Sequence, residues 1–349
     1  MIRVLIVDDS AVVRKFLTDE LSKFDDIEVV GGAIDPYVAR DKIVALKPDV
    51  ITLDLEMPRM DGLSFLAKLM RYFPLPVVVI CSLTPKNSEN AMRALTLGAV
   101  EVIAKPGSQF STPGIGPVVR AIRAAAAAQL PGKKNLPGAA AKGPESGKEE
   151  TPIALSHTTH KILAIGASTG GPQAVEEVLK GLPANAPGTV IVQHMPAYFT
   201  AAFAGRLNMV CSVDVREARD KDPVVPGVAL VAPGNHHMIL QMSGAKYMVR
   251  VKDGPPVHHQ RPAVDVLFQS VATTAGRNAI GVQLTGMGAD GAKGLLAMRQ
   301  SGAHTIVQDE ASSIVFGMPK EAIKLGAAQE VLPLPSIAPA ILKYLSQNA

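Results

Sequence analysis

The chain has 349 residues, 47% of them apolar and 19% charged, the composition of soluble globular protein and, at this length, of two domains. The net charge of +4 is small and mixed in sign, so it calls for neither nucleic acid nor a membrane surface, and no apolar run reaches transmembrane length. Only two cysteines occur, Cys81 and Cys211, which excludes a disulfide framework and suits a reducing cytoplasm.

The opening MIRVLIVDDS begins a strand and carries no signal-peptide cleavage pattern. Strand and helix patterns then alternate. Strands are predicted over Arg3–Val7, Ile27–Val30, Val50–Leu53, Val77–Cys81 and Val100–Ala104. Helices are predicted over Ala11–Leu21, Tyr37–Leu46, Leu63–Met70, Asn87–Leu97 and Val118–Ala128. Five β-α units in a row imply a flavodoxin-like, doubly wound parallel sheet in a domain spanning residues 1–128.

Residues 129–160 hold four Pro, four Gly and no aromatic residue. Such a segment buries too little apolar surface to offset its ordering entropy, and it reads as a flexible linker. Alternation resumes in a second domain over 161–349. Strands are predicted at Ile162–Ile165, Thr189–Gln193 and Ile280–Leu284, with a further strand opening at His304. Helices are predicted at Gln173–Leu182, Phe199–Leu207, Val264–Ala275 and Gly291–Gln300. The middle, Val213–Val251, looks strand-rich, with turns at Pro226-Gly227, Pro233-Gly234 and Ser243-Gly244. The second domain is thus α/β, with a mainly parallel, doubly wound sheet that admits some mixed pairing.

In open α/β sheets, sites gather at the C-terminal ends of the strands. In the first domain Asp8 and Asp9, Asp54, Cys81 and Ser82, and Lys105 stand there. Crowded carboxylates repel one another unless a hard cation such as Mg²⁺ relieves them. Asp54 is then placed to attack a phosphoryl donor, with Lys105 balancing the phosphoryl oxygens. Either Asp8 or Asp9 alone would read as a helix cap. The segments VDDS (7–10), LDLEMPRMDG (53–62) and AKP (104–106) resemble the response-regulator receiver family. That resemblance implies Asp9 and Asp54 as Mg²⁺ ligands with Asp8 assisting, Asp54 as phosphoacceptor and Lys105 as the phosphate-sensing lysine. The family usually carries a Ser or Thr hydroxyl where Cys81 stands, with Ser82 beside it.

In the second domain a predicted strand runs into Gly166-Ala167-Ser168-Thr169-Gly170-Gly171, and Pro172 opens a helix. Strand, G-x-S-x-G, helix is the signature of a nucleophile turn. A dinucleotide loop needs Gly where Ser168 stands, whereas a plain phosphate-binding turn fits the same motif. A serine nucleophile needs a base, and the base an orienting carboxylate. His194 and Asp290 each follow a strand able to neighbour that of Ser168. Taken singly, the first reads as a structural histidine and the second as a turn residue. Together with Ser168 they make a triad. His236-His237 and His258-His259 are adjacent pairs without metal-ligand spacing, so no zinc site is expected.

The segments GASTGG, QHMP, APGNHHM (232–238), RPAVDVLF (261–268), LTGMGADG and FGMP (316–319) resemble the chemotaxis protein-glutamate methylesterases, over both domains in the same order. The resemblance implies Ser168, His194 and Asp290 as the triad, the Met287 backbone N–H as part of an oxyanion hole, and Thr169 at its border. It implies hydrolysis of glutamate γ-methyl esters on methyl-accepting chemotaxis receptors, deamidation of receptor glutamine, and a chemotaxis histidine kinase as phosphodonor. It further implies a cytoplasmic enzyme with no cofactor in the esterase site, whose unphosphorylated receiver packs over that site. A DNA-binding output half would carry a compact helix-turn-helix and a basic stripe, and neither pattern is present. A non-catalytic adaptor would tolerate the loss of Ser168.

Overall fold

The computed structural model describes residues 1–57, 60–82, 84–105, 114–130 and 161–348. Most of the expected linker, residues 131–160, lies outside the described residues, as does Pro106 of the AKP segment.

The first half alternates without exception. It runs β1 (Ile2–Val7), α1 (Ala11–Leu21), β2 (Ile27–Ala33), α2 (Pro36–Leu46), β3 (Val50–Leu53), α3 (Gly62–Tyr72), β4 (Val77–Cys81), α4 (Pro85–Thr96), β5 (Glu101–Ala104) and α5 (Gly116–Ala126). The central strands are wholly apolar or nearly so because helices cover both faces. Side-chain caps start several helices: the Asp35 carboxylate accepts the N–H groups of Tyr37 and Val38, both at 2.9 Å, and Asp61 accepts that of Ser64 at 2.9 Å. The sheet order is β2-β1-β3-β4-β5, parallel throughout, which is the flavodoxin-like order.

The second half holds β6 (Ile162–Ala167), α6 (Gly171–Lys180), β7 (Gly188–Gln193), α7 (Phe199–Val210), β8 (Asp214–Glu217), β9 (Val228–Val231), β10 (His237–Ser243), β11 (Lys246–Lys252), α8 (Val264–Thr274), β12 (Ala279–Gln283), α9 (Ala292–Gln300), β13 (His304–Gln308), α10 (Met318–Lys324), β14 (Glu330–Leu332) and α11 (Leu334–Gln347). Seven strands form one sheet in the order β14-β13-β12-β6-β7-β9-β8. Every pair in it is parallel. The allowance for mixed pairing is therefore corrected. The antiparallel pairing of the strand-rich middle is confined to a separate two-stranded ribbon, β10-β11. That ribbon is tied to α8, where Ser270 Oγ accepts the Leu240 N–H at 2.9 Å.

Alternate residues of the strands face opposite layers. Leu163 and Ile165 pack with α6, α7 and α11, and Ala164, Val190 and Val192 pack with α8, α9 and α10. The first of these layers continues into the core of the first sheet through α4, whose Met92 and Leu95 belong to the same apolar cluster. The chain lays β7, β9 and β8 on one side of β6 and β12, β13 and β14 on the other. The strand order thus reverses at β6, and the crevice beyond its C-terminal end is the topological switch point where such sheets place their sites.

Candidate active site

β6 reads ILAIGA, an unbroken small and aliphatic run buried along its whole length. Ser168 follows it, 7% exposed. The turn closes at Gly170, whose φ of 76° is a left-handed value that L side chains rarely adopt. A Cβ there would also lie 2.5 Å from that of Ile314. Pro172 sits in the first turn of α6, where its missing N–H leaves no bond unmade.

The two strands hydrogen-bonded to β6 are β7 and β12, so the residues just beyond them converge on Ser168. His194 N–H donates to Ala167 O at 3.1 Å, and Ser168 N–H donates to Thr285 O at 3.0 Å. His194 Nε2 lies 2.8 Å from Asp290 Oδ2. Asp290 is 2% exposed and also accepts the Val264 N–H on Oδ2 at 2.7 Å and the Asp265 N–H on Oδ1 at 2.8 Å. These two donors open α8, so the carboxylate caps a helix N-terminus that favours negative charge. Burial by itself would raise the Asp290 pKa. The His194 hydrogen bond and the two backbone donors outweigh it and hold the carboxyl below its ordinary value.

Because Asp290 accepts from Nε2, the lone pair of the neutral imidazole falls on Nδ1. That atom is buried and has no partner. No hydrogen bond joins Ser168 Oγ to His194 among the described residues. The three residues share one crevice, but the nucleophile–base hydrogen bond is not formed in this state, as is common before substrate binds.

Backbone hydrogen bonding separates the possible oxyanion donors. Ser168 itself cannot serve, since its N–H is spent on Thr285 O. The N–H groups of Thr169 and Met287 make no hydrogen bond among the described residues. Met287 is 39% exposed, on a segment held by Gly286 N–H to Val315 O at 3.0 Å and Met318 N–H to Gly286 O at 2.8 Å. That pairing explains why FGMP accompanies LTGMGADG. A Cβ on Gly286 would stand 2.6 Å from the Cβ of Ser168 and collide with Met318 Sδ.

Several functional neighbours escaped the sequence. β7, β12 and β13 all end in glutamine, and Gln193, Gln283 and Gln308 are each almost wholly buried. Gln193 Nε2 donates to Ser168 O at 2.8 Å, and Gln308 Oε1 accepts the Thr285 N–H at 2.8 Å. Gln283 Nε2 reaches Gly166 O at 3.2 Å. They staple the strand-end loops that carry the site. The recurrence of an apolar run closed by Gln was the available signal. The other unforeseen neighbour comes from the first sheet: Thr169 Oγ1 donates to Glu101 Oε2 at 2.7 Å.

Of the histidine pairs, His258 stands beside carboxylates. Its Nε2 lies 3.0 Å from Asp265 Oδ2, with Asp290 close by. Those carboxylates are already engaged, Asp265 Oδ1 by Gly294 N–H at 2.7 Å and Asp290 as above.

In the first sheet an acidic pocket lies at the ends of β1, β3 and β5. Carboxylate oxygens of Asp8, Asp9 and Asp54 lie within 4.8 Å of one another. Lys105 Nζ bridges Asp54 Oδ2 at 2.7 Å and Asp8 Oδ2 at 3.1 Å. Burial raises the Asp54 pKa in spite of Lys105, and Asp8 adds to the rise. The Lys105 pKa is raised as well: burial opposes this, and the bonds to Asp54 and Asp8 prevail. An all-carboxylate donor set with two buried members fits a hard cation such as Mg²⁺. Cys81 is wholly buried and its thiol is pushed up to about 12, by burial first and then by Asp54 and Glu56. Ser82 is half-buried beside it. Among the described residues no helix is long and apolar enough to cross a membrane.

Residues 4–111 match the response regulator receiver domain family, and residues 163–341 match the CheB methylesterase family. The chain is 58% identical to the protein-glutamate methylesterase/protein-glutamine glutaminase 2 of Syntrophus aciditrophicus, with 99% of each chain covered. It is 50% identical to the protein-glutamate methylesterase/protein-glutamine glutaminase of Bdellovibrio bacteriovorus, over 100% of this chain and 99% of the other. The crystal structure of the Thermotoga maritima CheB methylesterase catalytic domain superposes with a TM-score of 0.52 at 37% identity, covering 53% of this chain and 99% of that one. With the receiver first and the esterase second, and both matched over nearly the full length of the chain, the chain belongs to the CheB methylesterase family of response-regulator enzymes.

Proposed function

We propose that this chain hydrolyses glutamate γ-methyl esters on methyl-accepting chemotaxis receptors and deamidates receptor glutamine, under control of Asp54 phosphorylation. The observation that carries the reading is the buried His194–Asp290 pair, whose remaining ring nitrogen is unpartnered in the crevice that holds Ser168.

Nδ1 of His194 takes the proton of Ser168 as Oγ attacks the γ-carbonyl carbon. Asp290 keeps the proton on Nε2 and offsets the imidazolium charge. The unspent N–H groups of Thr169 and Met287 receive the developing oxyanion, one such donor being worth about 3 kcal/mol of barrier. His194 then protonates the leaving oxygen, methanol departs, and a glutamyl ester on Ser168 remains. Water attacks that ester with His194 again as base, releasing glutamate and regenerating Ser168. A glutamine side chain follows the same course with ammonia as leaving group, and the amide is the harder substrate because its leaving group needs fuller protonation.

In the receiver, Asp54 takes the phosphoryl group from a chemotaxis histidine kinase. Asp9 and Asp54, assisted by Asp8, would hold Mg²⁺, which supplies positive charge against the phosphoryl oxygens when bound. Lys105 moves its ammonium from Asp54 Oδ2 to the new phosphoryl oxygens, and Cys81 and Ser82 border the change. The domains divide at residues 1–128 and 161–349, joined through residues 129–160, in a cytoplasmic enzyme that enters neither membrane nor nucleic acid.

The test is methanol release from methylated receptor membranes, wild type against Ser168→Ala, with and without acetyl phosphate and Mg²⁺. Wild-type release that the phosphodonor accelerates and Ser168→Ala abolishes supports both halves. Full activity in Ser168→Ala overturns the triad.

A further inference from the structure

Asp290 stands just before α9 and caps α8, its oxygens receiving the Val264 and Asp265 N–H groups that open that helix. Asp265 returns the contact. It is the second residue of α8, and its Oδ1 accepts the Gly294 N–H in the first turn of α9 at 2.7 Å. Each helix start is thus closed by the carboxylate that belongs to the other. Neither helix has a side-chain cap of its own, Ala263 and Gly291 standing at the cap positions, so the crossed pair satisfies N–H groups that the local sequence leaves open. Gly294 lets the helices meet this closely: a Cβ there would lie 2.6 Å from that of Phe268 and 3.1 Å from Asp265 O.

Each carboxylate also holds a histidine. His194 Nε2 lies 2.8 Å from Asp290 Oδ2, and His258 Nε2 lies 3.0 Å from Asp265 Oδ2. The second histidine comes from a strained turn. Val257 N–H donates to Gln260 O at 3.0 Å and Gln260 N–H to Val257 O at 2.8 Å, with His258 at φ 51° and His259 at φ 61° between them. A two-residue turn with both φ values positive favours Asn and Gly. Two histidines in it are a strain that persists only where the surroundings over-determine it, and here the turn delivers the His258 ring to Asp265.

We propose that Asp265, held by His258, is a positioning residue for the triad: it fixes the segment that carries Asp290 and so keeps the Asp290 carboxylate directed at His194 Nε2. The inference rests on the esterase reading and adds to it a residue outside the triad. Asp290 is tied to α8 at its carboxylate, and Asp265 ties the chain that follows Asp290 to the same helix. Without the second tie the segment pivots about its carboxylate, and the bond that sets the tautomer of His194 loses its direction. Asp265 touches no reacting atom, so its loss should lower kcat and spare KM.

The experiment uses the full chain and two readouts. One is methanol release from methylated receptor membranes with acetyl phosphate and Mg²⁺, analysed for kcat and KM. The other is the low-field ring N–H proton resonance of His194 in the unphosphorylated protein, assigned by its loss in His194→Gln. A misplacement of about 1 Å costs up to about 10²-fold, so Asp265→Ala is expected to lower kcat about ten- to 10²-fold with KM within about twofold of wild type, and to lose the His194 resonance. Asp265→Asn keeps an acceptor for Gly294 and is expected to restore kcat to within about threefold of wild type, together with the resonance. Should Asp265→Ala fail to fold, Asp265→Glu, which displaces the carboxylate by one methylene, is expected to show the same loss. A wild-type kcat and an intact resonance in Asp265→Ala, whatever its Tm, overturn the proposal and leave Asp265 a structural cap. An Asp265→Asn as impaired as Asp265→Ala overturns the clasp as the cause. If phosphorylated wild type releases no methanol, the esterase reading fails, and the His194 resonance in Asp265→Ala still decides whether Asp265 holds the His194–Asp290 pair.

Discussion

His194 Nε2 and Asp290 Oδ2 lie 2.8 Å apart across 96 residues of chain, and the same carboxylate receives the first two N–H groups of α8. Asp290 thus orients the base and caps a helix at once. Asp290→Asn is expected to lower kcat by roughly 10³- to 10⁴-fold, because the amide no longer enforces the tautomer with a free Nδ1. It also weakens three hydrogen bonds to a charged acceptor, so stability should fall by about 1–3 kcal/mol. Single-turnover methanol release and urea midpoints separate the two effects.

The pH dependence of that loss has a fixed sign. The folded Asp290 carboxyl is held below its ordinary value. Its stabilisation is complete above the unfolded value of about 3.9 and is lost as pH falls through the lower, folded value. Urea midpoints of wild type and Asp290→Asn should therefore differ most at neutral pH and converge on acidification below about pH 4. A gap that widens on acidification would contradict the assignment.

Ser168 and Gly286 substitutions should both lower activity but differ in stability. Ser168 Oγ makes no hydrogen bond among the described residues, so Ser168→Ala should change stability by no more than about 0.5 kcal/mol while activity falls by at least about 10³-fold. Gly286→Ala drives a methyl against Met318 Sδ and to 2.6 Å from Ser168 Cβ. Overpacking of this kind costs about 1–3 kcal/mol, and the displaced Ser168 should lose activity beyond the stability effect. Thermal melts beside fluorophosphonate labelling give both numbers.

Mg²⁺ should stabilise the receiver through its three carboxylates. At a hundred times its Kd the gain is about 2.7 kcal/mol, read as a shift of a few degrees in Tm. Asp54→Asn and Asp9→Asn are each expected to remove the shift, whereas Ser168→Ala should keep it. Calorimetric scans of the four proteins with and without Mg²⁺ decide the matter.

Both thiols should be unreactive in the folded chain. Burial pushes Cys81 to about 12 and Cys211 to about 11, and the thiolate is the reactive form. Treatment with Ellman's reagent at pH 8 should release colour from neither cysteine within minutes, and from both after unfolding. Rapid reaction of one thiol in the native chain would show that its pocket opens.

By itself the sequence determined whatever depends on local period and on strand ends. Five β-α units, the carboxylates after β1 and β3, and the positions of Ser168, His194 and Asp290 were all legible. Apolar runs and turn residues mark strand ends within a few positions, and a parallel sheet gathers those ends. The last three elements were not legible. α11 begins with proline-rich PLPSIAP and carries Pro339 inside it, a breaker pattern overridden by the burial of Ile337, Ile341 and Leu345. Only the tertiary structure decided that β12 rather than β8 flanks β6, which nitrogen of His194 is left free, and that Gln193, Gln283 and Gln308 hold the loops. It also brought Glu101 to Thr169 across 68 residues. A single buried polar contact between distant segments leaves no periodic trace in the chain, since it is selected by the packing of two sheets and not by the residues beside it.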